Sequence, residues 1–372
     1  MPEAAAPLTV AFVLASYSDN AAAGMERATA ALASGLRQLG HRALILSSAS
    51  RMYWPRDEIP LEFPSVGFPS SDDDLRRVLL AQQNSVASEL NEVFDEYEVD
   101  VAVYVDALWG FGRVAPAGRV RRVLAVHVLG HDEDVRPALD RVDLVVVPSP
   151  TVLDQAVGRG YDTRAWHTVP NALLRKGARP SESRREALRS GGPVRVLARL
   201  GPEKNVRGLL DAGRLVERPI QVITAGAGFE VADGAQAKEL DWCRHSAAHL
   251  RLGTIHGDGL AWDEVQEWLA GAAVVIVPSV RETFGLVALE AMSVGTPVVA
   301  FDVDNLPALV GTGSDAGGVV VPRSSGEYGL WRAAEHLLGD PLRYGELSEA
   351  AYYRSRDYLP TTVAETFIKA VR

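Results

Sequence analysis

Cysteine is almost absent from this chain of 372 residues, which contains only Cys243. A single cysteine excludes an intrachain disulfide and a cysteine-based zinc site. Long apolar runs are also lacking. The run near the start, Leu8–Ala15, is too short to cross a bilayer and has no basic flank of the kind that precedes a signal peptide core. We therefore expect a soluble, cytoplasmic protein.

The chain has fewer basic than acidic residues, 38 against 48, and its formal net charge is −10. Proteins that bind nucleic acids or membrane surfaces through their overall charge have the opposite balance. The composition thus argues against a nucleic-acid partner and against stable membrane association. Lysine is especially scarce, with Lys176, Lys204, Lys238 and Lys369 as its only representatives.

Short apolar runs rich in β-branched residues alternate with segments of helical periodicity. This pattern is typical of buried parallel strands connected by helices. The runs form two groups, separated by a stretch rich in Arg, Ser and Gly at 175–192. We predict strands at 8–14, 42–47, 100–105, 122–127 and 143–148 in the first group, and at 194–200, 221–224, 254–255, 274–277 and 297–301 in the second.

The grouping predicts two doubly wound α/β domains. We place a Rossmann-like N-terminal domain at 1–172, a linker at 173–192, a second Rossmann-like domain at 193–345 and a C-terminal helical segment at 346–372. Ligands of open α/β sheets bind at the carboxyl ends of the strands. Loops that follow strands are therefore the expected location of functional residues.

Two glutamates flank a predicted helix start after the strand at 274–277. Glu282 precedes the helix predicted at 284–293, and Glu290 follows eight positions later. The N–H groups at a helix start attract phosphate, and carboxylates accept hydrogen bonds from hydroxyls, as they do from ribose. Together they suggest a sugar nucleotide. A helix-capping glutamate with a second, solvated one is the alternative interpretation of this spacing.

Two cations also follow a predicted strand. Arg199 lies at the end of the strand, and Lys204 lies in the loop before the next helix. A guanidinium fork and an ammonium point charge on one strand-end loop suit a diphosphate. Solvated surface charges are the alternative.

These segments resemble a known family, the retaining glycosyltransferases of the GT-B fold that carry an E-x7-E motif (glycosyltransferase family 4, glycosyl transferases group 1). The resemblance rests on Arg-Leu-x-x-x-Lys at 199–204, Glu-x-Phe-Gly-x-x-x-x-Glu-Ala-Met at 282–292 and Gly-x-Pro-Val-Val at 295–299. Weaker likenesses are the loop around Gly24, Gly40-His41, the strand-end His127 and Val169-Pro-Asn171. The family's fold places two Rossmann-like domains across a cleft, and the resemblance implies that the C-terminal helix at 346–372 packs back on the N-terminal domain.

The resemblance also implies roles for individual residues. Arg199 and Lys204 would hold the donor diphosphate, Glu282 the hydroxyls of the transferred sugar, and Glu290 the ribose. His127 would contact the donor sugar near the reacting face. Further donor contacts would come from Gly24, Gly226, Thr283, Phe284, Gly285, Leu286 and Val287.

Three positions depart from the family pattern. Ala23 replaces the first glycine of the first-domain loop, and Ala172 follows Asn171 in place of glycine. Asp304-Asn305-Leu-Pro-Ala stands where the family has Gly-Gly-x-Pro-Glu. The last departure lies near the expected edge of the donor sugar and therefore bears on which sugar is bound.

We expect a retaining hexosyltransferase that uses a nucleotide diphosphate sugar, with UDP favoured and GDP next, and that requires no metal or other cofactor. The irregular stretch 52–71 contains Tyr53, Trp54, Phe63 and Phe68 and is the predicted acceptor pocket. Acidic residues in the helix predicted at 75–97 favour a soluble small-molecule acceptor, although a basic stretch at 113–122 leaves a lipid or glycan acceptor open. A nucleotide-sugar epimerase and a non-catalytic nucleotide-sugar-binding protein are the alternative functions.

Overall fold

The computed structural model describes residues 6–15, 17, 24–47, 58–61, 70–105, 111–213, 216–227, 229–230, 232–250 and 252–372. The chain divides into two compact units. The first is built mainly from Met25–Leu174, preceded by the first strand and completed by Leu359–Arg372, and the second is built from Arg175–Tyr358.

A seven-stranded parallel sheet forms the centre of the first unit. The strands of this unit are β1 (Thr9–Leu14), β2 (Arg42–Ser47), β3 (Glu58–Pro60), β4 (Ser70–Ser71), β5 (Val101–Val105), β6 (Arg121–Ala125), β7 (Leu144–Val147) and β8 (Trp166–Thr168). All except β4 belong to the sheet, in the order β3-β2-β1-β5-β6-β7-β8. The helices are α1 (Gly24–Gln38), α2 (Asp72–Glu96), α3 (Asp132–Leu139) and α4 (Pro150–Gly158).

The second unit has a six-stranded parallel sheet. Its strands are β9 (Val194–Arg199), β10 (Ile220–Ala225), β11 (Phe229–Glu230), β12 (Gly253–His256), β13 (Val274–Val277), β14 (Val298–Phe301) and β15 (Gly318–Val321). All except β11 belong to the sheet, in the order β12-β10-β9-β13-β14-β15. The helices are α5 (Glu182–Gly191), α6 (Val206–Ala212), α7 (Ala235–Ala247), α8 (Val265–Ala270), α9 (Leu286–Ser293), α10 (Leu306–Val310), α11 (Gly326–Gly339) and α12 (Pro341–Arg354).

Two parallel sheets with helices between their strands confirm the fold class predicted from the sequence. The prediction missed three strands of these sheets. β3 and β8 have three residues each and carry no apolar run of their own. β15 is apolar, but the prediction ended the second sheet at 297–301, and this was wrong because β15 pairs with β14 from Val298–Gly318 to Phe301–Val321.

The C-terminal segment predicted to be helical at 346–372 is not one continuous helix. α12 ends at Arg354, a 3₁₀ turn covers Ser355–Tyr358, and α13 (Pro360–Val371) begins at a proline. Proline is favoured at the first helical position because the missing N–H needs no partner there. α13 packs within the first unit, where the rings of Phe367 and Phe12 lie 6.5 Å apart.

α5 falls inside the linker predicted at 173–192. Arg185, on α5, is buried and donates to the hydroxyl of Thr296 at 3.0 Å and to the carbonyl of Ala270. These bonds attach α5 to the second unit. In the described part of the chain, no helix is both long and apolar enough to cross a membrane.

Candidate functional site

The candidate site lies at the point where the strand order of the second sheet reverses. The chain proceeds from β9 outward to β10 and β12, and then continues on the opposite side with β13 and β14. The loops after two neighbouring strands, β9 and β13, therefore diverge and leave a crevice at their carboxyl ends. Lys204 lies in a 3₁₀ turn after β9, and Glu282 lies in the loop after β13.

Lys204 and Glu282 form an ion pair across this point. The Nζ of Lys204 donates to Oε2 of Glu282 at 2.6 Å, although the residues are 78 positions apart in the sequence. The side chains are only 18% and 15% exposed. The same carboxylate oxygen accepts a bond from the hydroxyl of Ser279 at 3.4 Å. A residue predicted to bind the donor diphosphate and one predicted to bind the adjacent sugar are thus in direct contact.

Arg199 is the second cation of this site. Its Nη2 donates to Oε1 of Glu203 at 2.6 Å, and its side chain is 39% exposed. An ion pair this accessible to water contributes little to the free energy of unfolding. Arg199 can therefore exchange Glu203 for another anion at a small cost in free energy. The carbonyl of Glu203 accepts from the N–H of Val280 at 2.9 Å, which joins the β9 loop to the β13 loop.

The start of α9 supplies a third element of the site. The helix begins at Leu286, two residues after the predicted start at Phe284, because Gly285 has a φ of +103° and cannot be helical. A Cβ at Gly285 would also lie 2.9 Å from Leu309 Cδ2, so that the leucine side chain would have to shift. The first N–H groups of α9, including those of Leu286 and Val287, have no acceptor within the helix. These N–H groups, together with the positive end of the helix dipole, favour the binding of an anion at the start of α9.

The remaining donor candidates of this unit differ in their exposure. Thr283 is half-buried, and Phe284 is buried with its ring edge-on to Tyr358 at 5.8 Å. Glu290 is 6% exposed inside α9. Gly226 follows β10 and is exposed, and a Cβ placed there would meet nothing closer than Gln236 Oε1 at 3.4 Å.

His127 belongs to the first unit and follows β6. It lines a cavity of about 40 Å³ with side chains of α1 and the sheet, including Thr29 and Phe12, and with Asn171. Burial lowers the pKa of His127 to about 4. The imidazole is consequently neutral at physiological pH, so that one ring nitrogen can donate a hydrogen bond and the other can accept one. Gly24 is exposed at the first position of α1.

Some predicted features lie outside the described residues. Ala23 is one of them, as are Tyr53, Trp54, Phe63 and Phe68 of the predicted acceptor stretch. Ala172, by contrast, is described and is buried.

Three residues that contact the ion pair or its loops were not among the predicted site residues. They are Ser279, Asn205 and Asp304. In the sequence, Asp304 stands out only as a departure from the family pattern. Asn205 directly follows Lys204 in the loop after β9. Ser279 and Asn205 lie close to Glu282 and Lys204 in the sequence, whereas Asp304 is 22 positions from Glu282 and is brought to it only by the fold.

Comparison with known families gives two matches that together cover most of the chain. A model described as Glycosyltransferase Family 4 matches residues 22–173, and one described as Glycosyl transferases group 1 matches residues 194–340. The second match contains the ion pair and the start of α9.

Relatives of known function match part of the chain. A D-inositol 3-phosphate glycosyltransferase from Streptomyces bingchenggensis is 36% identical over 115 residues, 30% of this chain and 24% of the relative. An alpha-maltose-1-phosphate synthase from Mycobacterium tuberculosis is 31% identical over 204 residues, 52% of this chain and 50% of the relative. The matches thus span a quarter to a half of the length of these relatives.

Solved structures match over nearly the whole chain. Sucrose-phosphate synthase from Thermosynechococcus elongatus has a TM-score of 0.76 at 19% identity and covers 97% of this chain and 98% of its own. HepE from Anabaena, solved with UDP and glucose, has a TM-score of 0.73 at 18% identity with the same coverage. At this identity the likeness establishes a shared fold.

Proposed function

This chain belongs to the glycosyltransferases of group 1 and family 4, and we propose that it moves a hexose-type sugar from a nucleotide diphosphate donor to an acceptor hydroxyl. UDP is the favoured nucleotide and GDP the next. The observation that carries the proposal is the Lys204–Glu282 ion pair beside the start of α9.

The arrangement suits the two chemical parts of such a donor. Lys204, Arg199 and the first N–H groups of α9 are donors to a diphosphate. Glu282 accepts hydrogen bonds from sugar hydroxyls. Binding of the diphosphate would replace the carboxylate partners of both cations, Glu282 and Glu203, and sugar hydroxyls would take the place of the Lys204 ammonium beside the Glu282 carboxylate.

The proposed transfer retains the anomeric configuration. The acceptor oxygen forms a bond to the anomeric carbon while the bond from that carbon to the diphosphate oxygen breaks. The acceptor proton passes to the departing phosphate, on the same face of the sugar. The role of Lys204 and Arg199 is then to stabilise the charge that develops on the leaving diphosphate, which is catalysis by positioning and electrostatics.

The acceptor in this proposal is a soluble small molecule bound by the first unit. The outer surface of α2 carries the acidic residues Glu92, Asp95 and Glu96, all exposed. A helix that binds an anionic membrane carries basic residues on its polar face instead. The surface of α2 therefore supports an acceptor that is not held in a membrane.

A thermal-shift panel with UDP, GDP, ADP, TDP and CDP tests the donor site. A ligand that binds only the folded protein at about 100 times its dissociation constant adds about 2.7 kcal/mol to the free energy of unfolding. We expect one nucleotide to raise the melting temperature equally with and without magnesium. Absence of a shift with every nucleotide would contradict the proposed site. Conversion of the donor sugar without any acceptor would instead identify an epimerase.

Replacing Lys204 or Arg199 tests the catalytic role. We expect Lys204→Ala and Arg199→Ala each to lower kcat/KM at least about 100-fold, the scale of one lost electrostatic donor at a transition state. Lys369→Ala removes one exposed lysine from α13 and is the matched control. Near-normal turnover in both site variants would refute the assignment, and binding of the nucleotide without any transfer by the wild type would favour a binding protein.

A further inference from the structure

Left-handed backbone conformations outside glycine are concentrated at the candidate site. Within the described ranges, the non-glycine residues with positive φ are Glu98, Asn205 and Asp304, at +51°, +51° and +48°. Such conformations carry a steric cost for residues with a Cβ, and glycine avoids that cost. Asn205 directly follows Lys204, and Asp304 contacts Glu282. Two of these three residues thus adjoin the two partners of one ion pair.

Asn205 connects the Lys204 turn to two other parts of the second unit. Its Nδ2 donates to Oε1 of Glu327 at 2.8 Å and to the carbonyl of Pro278 at 3.3 Å. Glu327, in the first turn of α11, also pairs with Arg323 at 3.2 Å. Pro278 directly follows β13. The amide of Asn205 therefore ties the turn after β9 to the loop that contains Glu282.

Asp304 contacts the same loop from the other side, from the segment after β14. Its Oδ2 accepts from the N–H of Glu282 at 2.6 Å. Its neighbour Asn305 donates from Nδ2 to the carbonyl of Phe284 at 2.9 Å and from its backbone N–H to the carbonyl of Glu282 at 3.4 Å. The backbone of Glu282 is thus bonded at both its N–H and its C=O.

We propose that Asn205 and Asp304 are positioning residues, which hold Lys204 and Glu282 at the geometry needed for donor binding and transfer. This inference rests on the proposed function. Lysine and glutamate have long side chains that lose considerable rotamer entropy when ordered. Because the backbone beside Lys204 and Glu282 is already fixed, less of the chain must become ordered when the donor binds. A displacement of about 1 Å in such a group can lower a rate about 100-fold.

Substitution by glycine separates positioning from turn formation. Asn205→Gly and Asp304→Gly keep the left-handed backbone available but remove the side-chain hydrogen bonds. Glu98→Gly makes the same change at an exposed residue at the end of α2, and is the matched control. Asp304→Asn keeps an oxygen that can accept from the N–H of Glu282, so it is the conservative variant.

We expect Asn205→Gly and Asp304→Gly to lower kcat about 10- to 100-fold with melting temperatures close to that of the wild type. Glu98→Gly should leave kcat unchanged, and Asp304→Asn should recover most of the loss. In a Lys204→Ala background, Asp304→Gly should lower the rate less than about twofold further, because its effect acts through the ion pair. Wild-type kcat in both folded glycine variants would overturn the inference.

Amide hydrogen exchange tests the positioning without any turnover. The N–H of Glu282 should exchange faster in Asp304→Gly, and the N–H of Val280, which donates to Glu203, should exchange faster in Asn205→Gly. If the wild type bound no nucleotide, the proposed function would fail while this measurement still decided the inference. Unchanged exchange at both amides would overturn it.

Discussion

At the scale of single residues, the neutral state of His127 follows from its surroundings. The imidazole lines a small cavity whose other walls are mainly apolar, among them Phe12, Val103 and Val146. Removing a charged imidazolium from water costs free energy, so burial lowers the pKa of His127 to about 4. His127 can therefore form hydrogen bonds as an uncharged imidazole.

This shift makes the free energy of unfolding depend on pH. The unfolded chain binds a proton at His127 below its ordinary pKa of 6.5, whereas the folded protein does so only near pH 4. The contribution to stability is therefore complete above pH 6.5 and is lost as the pH falls from about 6.5 to about 4. At about 1.4 kcal/mol per pKa unit, and allowing for the partial exposure of the side chain, we expect about 1–3 kcal/mol.

Urea unfolding of the wild type and His127→Gln at several pH values measures this contribution. The difference between them isolates His127 from His41, whose pKa is also lowered by burial. We expect the free energy of unfolding of the wild type to fall more steeply between pH 6.5 and 4 than that of His127→Gln. Parallel curves would show that His127 is not the residue responsible.

At the scale of elements, the start of α9 depends on one glycine. Gly285 combines a φ of +103° with close approach to Leu306 and Leu309 of α10. The turn therefore presents the first N–H groups of α9 while its own backbone packs against the neighbouring helix. No other residue type satisfies both requirements without strain.

Gly285→Ala should lower the free energy of unfolding by about 2–4 kcal/mol, through the left-handed backbone and the contact with Leu309. It should also weaken the nucleotide-dependent thermal shift, because the helix start must move. Gly345→Ala is the control, since Gly345 lies within α12 and a Cβ there meets nothing within 4 Å. That variant should gain about 0.5–1 kcal/mol. Equal stabilities of the two variants in urea unfolding would contradict this account.

At the scale of the whole molecule, the first unit is discontinuous in sequence. α13 returns to it after the entire second unit, and Phe367 is fully buried beside Phe12 of β1. α1 approaches α13 so closely that a Cβ on Gly35 would overlap the carbonyl oxygen of Pro360. The last residues of the chain are therefore part of the first unit's core.

Phe367→Ala should destabilise the first unit by about 3–5 kcal/mol, the usual cost of removing a buried phenyl group. Amide exchange should show lost protection in β1 and β5 but retained protection in β9 and β13. Glu365→Ala, at an exposed position of α13, should change neither. Equal loss of protection in both sheets would mean that the two units do not unfold separately.

The sequence by itself determined the two parallel sheets and the strand-end positions of Arg199, Lys204 and Glu282, because apolar runs and glycine-bounded helices are local patterns. Only the tertiary structure decided that Lys204 contacts Glu282 across 78 residues and that Asn205 and Asp304 hold the loops around them. The short edge strands β3 and β8 also required it. Contacts of this kind depend on the order of strands in a sheet, and periodicity along the chain carries no information about that order.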